Sequence, residues 1–177
     1  PPVLVVIAQR DFDFDEYRNT VRGLGAGGCS VVVAAKETLP AIGHNDSLVK
    51  PDIALDQVES SEYSGVVVIG GIGSVLLWDD SLFHQILLRF ANSGHQVVAG
   101  IGLAPVALAK AGVLQGRRTA ALLDAKAKRA LEQAGARFVF RGLAVDGFFI
   151  TANGPKAGWA LGRRVASMIS RENLGRK

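Results

Sequence analysis

Residues 98–105 read VAGIGLAP, and this stretch decides the fold. An apolar run of the kind that forms a buried strand passes directly into a helix that opens near Pro105, a residue suited to the first helical turn. A strand that turns sharply into a helix has the geometry of a nucleophile elbow, in which a strained turn exposes a Ser or Cys beside helical N–H groups. The turn here holds Gly102, Leu103 and Ala104, and therefore no nucleophile.

Apolar runs and amphipathic segments alternate along the rest of the chain. Continuous apolar runs predict strands that are buried on both faces, as in a parallel sheet, and these lie at residues 3–8, 31–35, 66–69 and 97–101. Helical periodicity predicts helices at residues 16–24, 81–91, 105–111, 126–134 and 157–170. Short strands are expected at 138–140, 144–145 and 148–151, with Asp146-Gly147 as a hairpin signal between the last two.

This alternation predicts an α/β fold, a three-layer sandwich with a mostly parallel sheet and helices on both faces. No linker or repeat interrupts it, so we expect a single domain over residues 1–177. In such sheets, ligands bind outside the carboxyl ends of the strands. The segments that follow residues 8, 69 and 101 are therefore the ones in which to seek a site.

Composition limits the location and the partners. The chain has one cysteine, Cys29, and no apolar run of the roughly 18 residues that span a bilayer. We therefore expect a cytoplasmic protein without a disulfide or a membrane partner. The net charge is +4, but no basic run contains the interleaved aromatics that stack on bases, so we expect no nucleic-acid partner. The basic residues near the C-terminus are interpreted as a solvated face; they are Arg163, Arg164, Arg171, Arg176 and Lys177.

Two glycine patterns invite a ligand-binding interpretation. Gly23, Gly25 and Gly28 match GxGxxG, but this motif follows a predicted helix instead of a strand, so we expect a helix end and no cofactor. The run at residues 70–73, GGIG, follows a buried strand. Its N–H groups suit half of an oxyanion hole or an anion site, and glycine suits a tight turn equally well, so both alternatives stay open.

Several ordered blocks resemble the ThiJ/PfpI superfamily of the class I glutamine amidotransferase-like, or flavodoxin-like, fold. They are VLVVIA at 3–8, KPD at 50–52, ESSEY at 59–63, VVVIGGIG at 66–73, LAKAGVLQGRR at 108–118, VDG at 145–147 and TANGP at 151–155. The resemblance covers nearly the whole chain. It implies a thiolate nucleophile at the elbow, a glutamate beside it, and a homo-oligomer, either a dimer or a larger assembly.

The chain departs from that pattern at the elbow. The family's elbow reads Ala-Ile-Cys-His-Gly-Pro. In this chain Gly102 stands at the cysteine position of that motif and Leu103 at the histidine position. The strand at 119–121 also lacks the family's further histidine or aromatic residue. The resemblance places the glutamate position at Asp13, while Asp15 and Glu16 are interpreted as solvated acids that favour a helix N-terminus. Gly102 keeps a turn with positive φ but supplies no thiolate.

These features predict a non-catalytic or catalytically degenerate protein that binds a small ligand or a partner protein at the former elbow pocket. The candidate pocket residues are Asp13, Gly71, Ile72, Gly102, Leu103 and Asn153. The alternative is an enzyme with an altered mechanism, in which Asp13 acts as general acid/base on a carbonyl or isonitrile-type substrate. Cys29 is interpreted as a small buried residue. The histidines have no metal or triad spacing, and no metal is expected; they are His44, His84 and His95.

Overall fold

The computed structural model describes residues 1–175. Its strands are β1 (Val3–Val6), β2 (Arg10–Phe12), β3 (Val31–Ala35), β4 (Ala41–Gly43), β5 (Leu48–Val49), β6 (Ile53–Ala54), β7 (Gly65–Val68), β8 (Val97–Ile101), β9 (Arg118–Thr119), β10 (Arg137–Phe138), β11 (Leu143–Asp146) and β12 (Phe149–Ala152). Its α-helices are α1 (Phe14–Ala26), α2 (Ser81–Asn92), α3 (Pro105–Lys110), α4 (Ala125–Gln133) and α5 (Gly158–Gly175). Short 3-10 turns occupy Leu55–Gln57, Ser60–Glu62, Ile72–Leu77 and Pro155–Ala157.

A seven-stranded sheet forms the middle layer, in the order β11-β12-β8-β7-β1-β3-β6. Every pair in it is parallel except β11 with β12, which are joined by the predicted hairpin. β1 lies near the centre, where Val3 pairs with Val31 on one side and with Gly65 on the other. The parallel order places the carboxyl ends of β1, β7 and β8 at one edge of the sheet, as expected for a doubly wound fold.

Helices cover both faces, which confirms the predicted fold class. α2, α3 and α4 pack on one face through buried side chains such as Phe83, Phe90 and Leu108. α1 and α5 pack on the other face through Leu24, Leu161 and Val165. Strands buried on both faces are apolar along their whole length, which is why continuous runs identified them in the sequence.

The differences from the sequence prediction lie in short segments. Residues 10–12 form β2, which pairs with β4, although the sequence predicts no strand there. The strand predicted at 138–140 is the two-residue strand β10, and residues 55–62 hold two short 3-10 turns. Arg176 and Lys177, the end of the predicted basic tail, lie outside the described residues. Within residues 1–175, no helix is both long and apolar enough to cross a membrane.

The GxGxxG glycines serve the packing of α1 on α5. Gly23 lies inside α1, where a Cβ would overlap the carbonyl oxygen of Trp159. A Cβ on the facing Gly162 would overlap the carbonyl oxygen of Thr20. Gly28 follows the helix with φ of +82°, a conformation that glycine adopts readily after a helix end. The motif therefore brings two helices into backbone contact and then turns the chain.

Replacing Gly23 by alanine is expected to lower the free energy of unfolding by about 1–3 kcal/mol, because the new methyl group must displace α5. Urea unfolding measures this change. Gly25→Ala is the matched control, since Gly25 lies in the same helix and has nothing within 4 Å of an added Cβ. It is expected to leave stability unchanged or raise it by up to about 1 kcal/mol. Equal stabilities for the two variants would contradict backbone contact between α1 and α5.

Candidate functional site

The elbow lies at the carboxyl end of β8. Gly102 adopts φ of +65°, in the left-handed region that favours glycine. Its N–H donates to the carbonyl of Ala152 at 3.0 Å, and its own carbonyl accepts the N–H of Leu122 at 2.9 Å. Leu103 follows, and its carbonyl accepts the indole N–H of Trp78 at 3.0 Å. The positive φ at Gly102 agrees with the turn expected from the sequence, and the hydrogen bonds fix this turn from both flanks.

Glu16 is the carboxylic acid that lies beside Gly102, and its position corrects the sequence analysis. It was expected in solvent, but only 3% of it is exposed. Its Oε2 accepts the N–H of Gly70 at 2.8 Å. A Cβ added at Gly102 would overlap Glu16 Oε1. The Glu16 carboxyl group therefore fills the space that a side chain at position 102 would need.

Asp13 has a different role from the one that the resemblance placed on it. Its side chain caps α1, with Oδ1 accepting the N–H of Glu16 at 2.9 Å. Its own N–H donates to the carbonyl of Gly70 at 2.9 Å. Asp13 thus fixes where α1 begins, and the helical period then directs Glu16 inward. The expected carboxylate beside position 102 is present, but Glu16 supplies it.

The site is electrostatically unusual because, among residues 1–175, no cationic side chain forms an ion pair with the buried Glu16. Burial raises the pKa of Glu16 to about 8, the nearby Asp13 charge adds to that rise, and the Gly70 N–H opposes it. The Glu16 carboxyl group is therefore mostly protonated at neutral pH. A protonated carboxyl group can donate a hydrogen bond, whereas a carboxylate can only accept.

The glycine turn after β7 packs against the loop that precedes α1. Gly71 adopts φ of +97°, and its Cβ would lie 2.6 Å from the carbonyl oxygen of Asp11. A Cβ on Gly73 would overlap the carbonyl oxygen of Arg10. Close approach of two backbone segments explains these glycines, and the Gly70 N–H is already bound to Glu16. These contacts favour the tight-turn alternative, while the side chain of Ile72 faces solvent.

Asn153 directly follows β12. Its N–H donates to the carbonyl of Gly142. It lines a cleft of about 230 Å³. The residues that line this cleft are Ala121, Leu123, Phe138, Val139, Phe140, Arg141, Gly142 and Asn153. The six predicted pocket residues therefore do not share one cavity, because Asn153 lines this cleft, Ile72 faces solvent and Gly102 lies against the Glu16 carboxyl group.

One group of potential metal ligands was missed by the sequence analysis. Ligand atoms of Asp13, Asp15 and His44 lie within 4.8 Å of one another. The β2–β4 pairing brings His44 to the start of α1, which sequence spacing could not show. Each group has a protein partner, because Asp13 caps α1, Asp15 pairs with Arg18 at 2.8 Å, and His44 Nδ1 accepts the Phe14 N–H at 3.3 Å. These contacts give each of the three side chains a structural role.

Cys29 cannot replace the missing nucleophile. It precedes β3, at the amino ends of the parallel strands, while Gly102 follows β8 at their carboxyl ends. It is half-buried, where full burial was expected, and this burial raises the pKa of its thiol. A raised pKa disfavours the thiolate that acts as a nucleophile.

Comparisons with known proteins identify relatives along most of the chain. The chain is similar to an uncharacterized protein of Methanocaldococcus jannaschii, with 31% identity over 172 residues that cover 97% of this chain and 83% of the relative. It is also similar to protein dj-1beta of Drosophila melanogaster, with 29% identity over 148 residues, 83% of this chain and 78% of that protein.

Solved structures show the same fold. A ThiJ/PfpI domain protein from Brachyspira murdochii superposes with a TM-score of 0.91 at 25% identity, covering 96% of each chain. Drosophila melanogaster DJ-1beta superposes with a TM-score of 0.84 at 26% identity, covering 98% of this chain and 96% of that one. The family model described as "DJ-1/PfpI family" matches residues 2–168. The chain therefore belongs to the DJ-1/PfpI family.

Proposed function

We propose that this protein is a DJ-1/PfpI family member that performs no cysteine chemistry and acts by binding a partner protein or a small ligand. One observation carries the proposal: the Glu16 carboxyl group occupies the space beside Gly102 that a nucleophilic side chain would fill. The place of the family's nucleophile is closed in this chain by the contact between Glu16 of α1 and the elbow. The ligand or partner then binds the surface around the elbow, at the carboxyl ends of β8 and β12.

The exposed surface next to the elbow supports this proposal. Leu122, which donates its N–H to Gly102, has an exposed side chain, as does its neighbour Leu123. On the other flank, Ile72 and Leu76 are also exposed. Large apolar side chains grouped on a surface are typical of interaction sites. Self-association, which the family resemblance implies, is part of this proposal, and sedimentation velocity over a range of protein concentrations tests it.

An enzyme with an altered mechanism is the second candidate, and the pKa of Glu16 is the observation that favours it. A general acid or base works best when its pKa lies near the working pH, and the pKa of Glu16 is about 8. In that case Glu16, in place of Asp13, would be the acid/base group. Its burial is the argument against this candidate, because a substrate must contact the carboxyl group to exchange a proton with it.

A substrate panel separates the two candidates. The panel contains an α-dicarbonyl, a glycated amine, a peptide and an isonitrile, each tested from pH 6 to pH 9 beside a cysteine-containing family member as positive control. We expect no turnover above that of buffer for the wild type. Turnover that Glu16→Gln abolishes, with a pH profile that turns near pH 8, would establish the enzyme instead.

A further inference from the structure

The cleft beside the elbow has an aromatic wall that is exposed yet held in place. Phe140 is 73% exposed, and Leu123 across the cleft is 70% exposed. The ring of Phe140 meets that of Phe138 edge-to-face, with a centroid distance of 5.0 Å and an interplanar angle of 89°. The Lys128 ammonium group lies 5.6 Å from the Phe140 centroid. Exposed aromatic side chains in fixed positions are typical binding hot spots, because little entropy is lost when they are covered.

The charge on this surface is positive. Arg141 is the one charged residue that lines the cleft, and among residues 1–175 its guanidinium group has no hydrogen-bond or ion-pair partner. A second cleft of about 260 Å³ lies against the same segment, because Val139 and Arg141 line both clefts. Arg118 contributes the other charge of that second cleft, but it donates to the carbonyl of Val145 and its Nε lies 4.0 Å from Asp146 Oδ2. Within residues 1–175, Arg141 is therefore the charge of the two clefts that is left unpaired. A free guanidinium group favours a carboxylate, which it can bind in bidentate fashion.

The shape of the two clefts favours an extended segment over a compact ligand. Each is smaller than the roughly 300–1,000 Å³ of a typical small-molecule site. Both clefts are lined by Val139 and Arg141, so an extended chain that lies along this segment could contact both. Stacking of nucleic-acid bases is disfavoured, because Lys128 lies over one face of the Phe140 ring and Phe138 meets that ring edge-to-face.

From these observations we infer that the surface formed by Leu123, Phe138, Phe140 and Arg141, here called the aromatic cleft, binds an acidic peptide segment of a partner protein. An apolar side chain of the segment lies between Phe140 and Leu123, and a neighbouring carboxylate pairs with Arg141. This inference rests on the proposed function, because it assumes that the protein acts by binding a partner. It adds the chemistry of the partner.

Fluorescence anisotropy with a labelled peptide tests the inference. The probe is a short peptide that contains Leu-Phe flanked on both sides by aspartates. Two matched peptides replace Leu-Phe by serines, or the aspartates by lysines. We expect the first probe to bind in a saturable way, with weaker affinity as salt rises because the ion pair is exposed. We expect both matched peptides to bind at least about tenfold more weakly, the usual loss when a hot-spot contact is removed.

Variants of the protein locate the site. Phe140→Ser and Arg141→Glu are each expected to weaken binding of the probe at least about tenfold. Leu39→Ser and Arg22→Glu are the controls, since both positions are exposed and lie outside the aromatic cleft, and we expect them to change nothing. Circular dichroism and thermal melting verify that each variant is folded.

Several results would overturn the inference. These are failure of the probe to bind, binding that Phe140→Ser and Arg141→Glu leave intact, or equal displacement of the probe by phenylacetate or by oligothymidylate. A change in sedimentation caused by Phe140→Ser would assign the surface to a second copy of this chain instead. None of these results depends on the substrate panel, so turnover there would refute the proposed function without affecting the binding data.

Discussion

Replacing Gly102 by alanine is expected to lower the free energy of unfolding by about 2–5 kcal/mol. Two effects contribute. A non-glycine residue in the left-handed region costs about 1–2 kcal/mol, and overpacking in a filled interior costs about 1–3 kcal/mol. Gly102 has φ of +65°, and its Cβ would overlap Glu16 Oε1. Urea unfolding at fixed pH measures the sum.

Gly112→Ala separates the two effects. Gly112 also has positive φ, at +87°, but nothing lies within 4 Å of its Cβ, so only the backbone cost applies there. The excess loss in Gly102→Ala is then due to the Glu16 carboxyl group, and Glu16→Ala in the same chain is expected to recover that excess. Equal losses for Gly102→Ala and Gly112→Ala would show that Glu16 does not fill this space.

The same reasoning applies to a restored nucleophile. Cysteine at position 102 carries the same Cβ as alanine, so it meets the same carboxyl oxygen. In this chain a thiol at position 102 therefore requires the Glu16 carboxyl group to move, and the other oxygen of that group accepts the Gly70 N–H. A thiol at position 102 consequently requires a change in α1, which carries Glu16, as well as at the elbow.

The fold could be predicted because its strands are buried on both faces. Val31–Ala35 and Val97–Ile101 were predicted with the bounds that the structure shows, since burial on both faces makes a strand apolar along its whole length. Asp146-Gly147 marked the hairpin between β11 and β12 for a local reason: Gly147 has φ of +61°, which the turn requires. These are short-range signals, and a single sequence contains them.

The site was harder to predict because it depends on which side chains of α1 face the interior. Asp13, Asp15 and Glu16 share the same chemistry, and which of them faces inward is fixed by the residue where α1 begins. The pattern Asp-x-x-Glu at 13–16 is a capping-box signature, and it places Asp13 at the N-cap. That signal could have directed attention to Glu16. The aromatic cleft gave no comparable signal, because the exposure of Phe140 depends on how residues far along the chain pack.

The Glu16→Gln variant is expected to be more stable than the wild type at neutral and alkaline pH. Glu16 has a pKa of about 8 in the folded protein, against its ordinary value of 4.5. Below pH 4.5 the folded and the unfolded protein both hold the proton on Glu16, and this group takes nothing from the free energy of unfolding. Between pH 4.5 and pH 8 the unfolded chain releases the proton while the folded protein retains it. The folding equilibrium constant of the wild type therefore falls by about tenfold per pH unit from this group.

Glutamine has no proton to lose, and its amide oxygen can still accept the Gly70 N–H. The advantage of Glu16→Gln should therefore grow across this pH window and level off above pH 8. Urea unfolding of both proteins at several pH values measures the difference. A constant difference from pH 5 to pH 8 would refute a raised pKa for Glu16.

Variants of the neighbouring acids test the cause of the raised pKa. Asp13→Asn removes a charge that raises the pKa of Glu16, while asparagine caps a helix about as well as aspartate. We expect it to lower the pH at which the advantage of Glu16→Gln levels off. Asp15→Asn removes a charge that is half-exposed and paired with Arg18, so this control should leave that pH unchanged. Burial is the largest cause of the raised pKa, so some advantage of Glu16→Gln should persist even in the Asp13→Asn background.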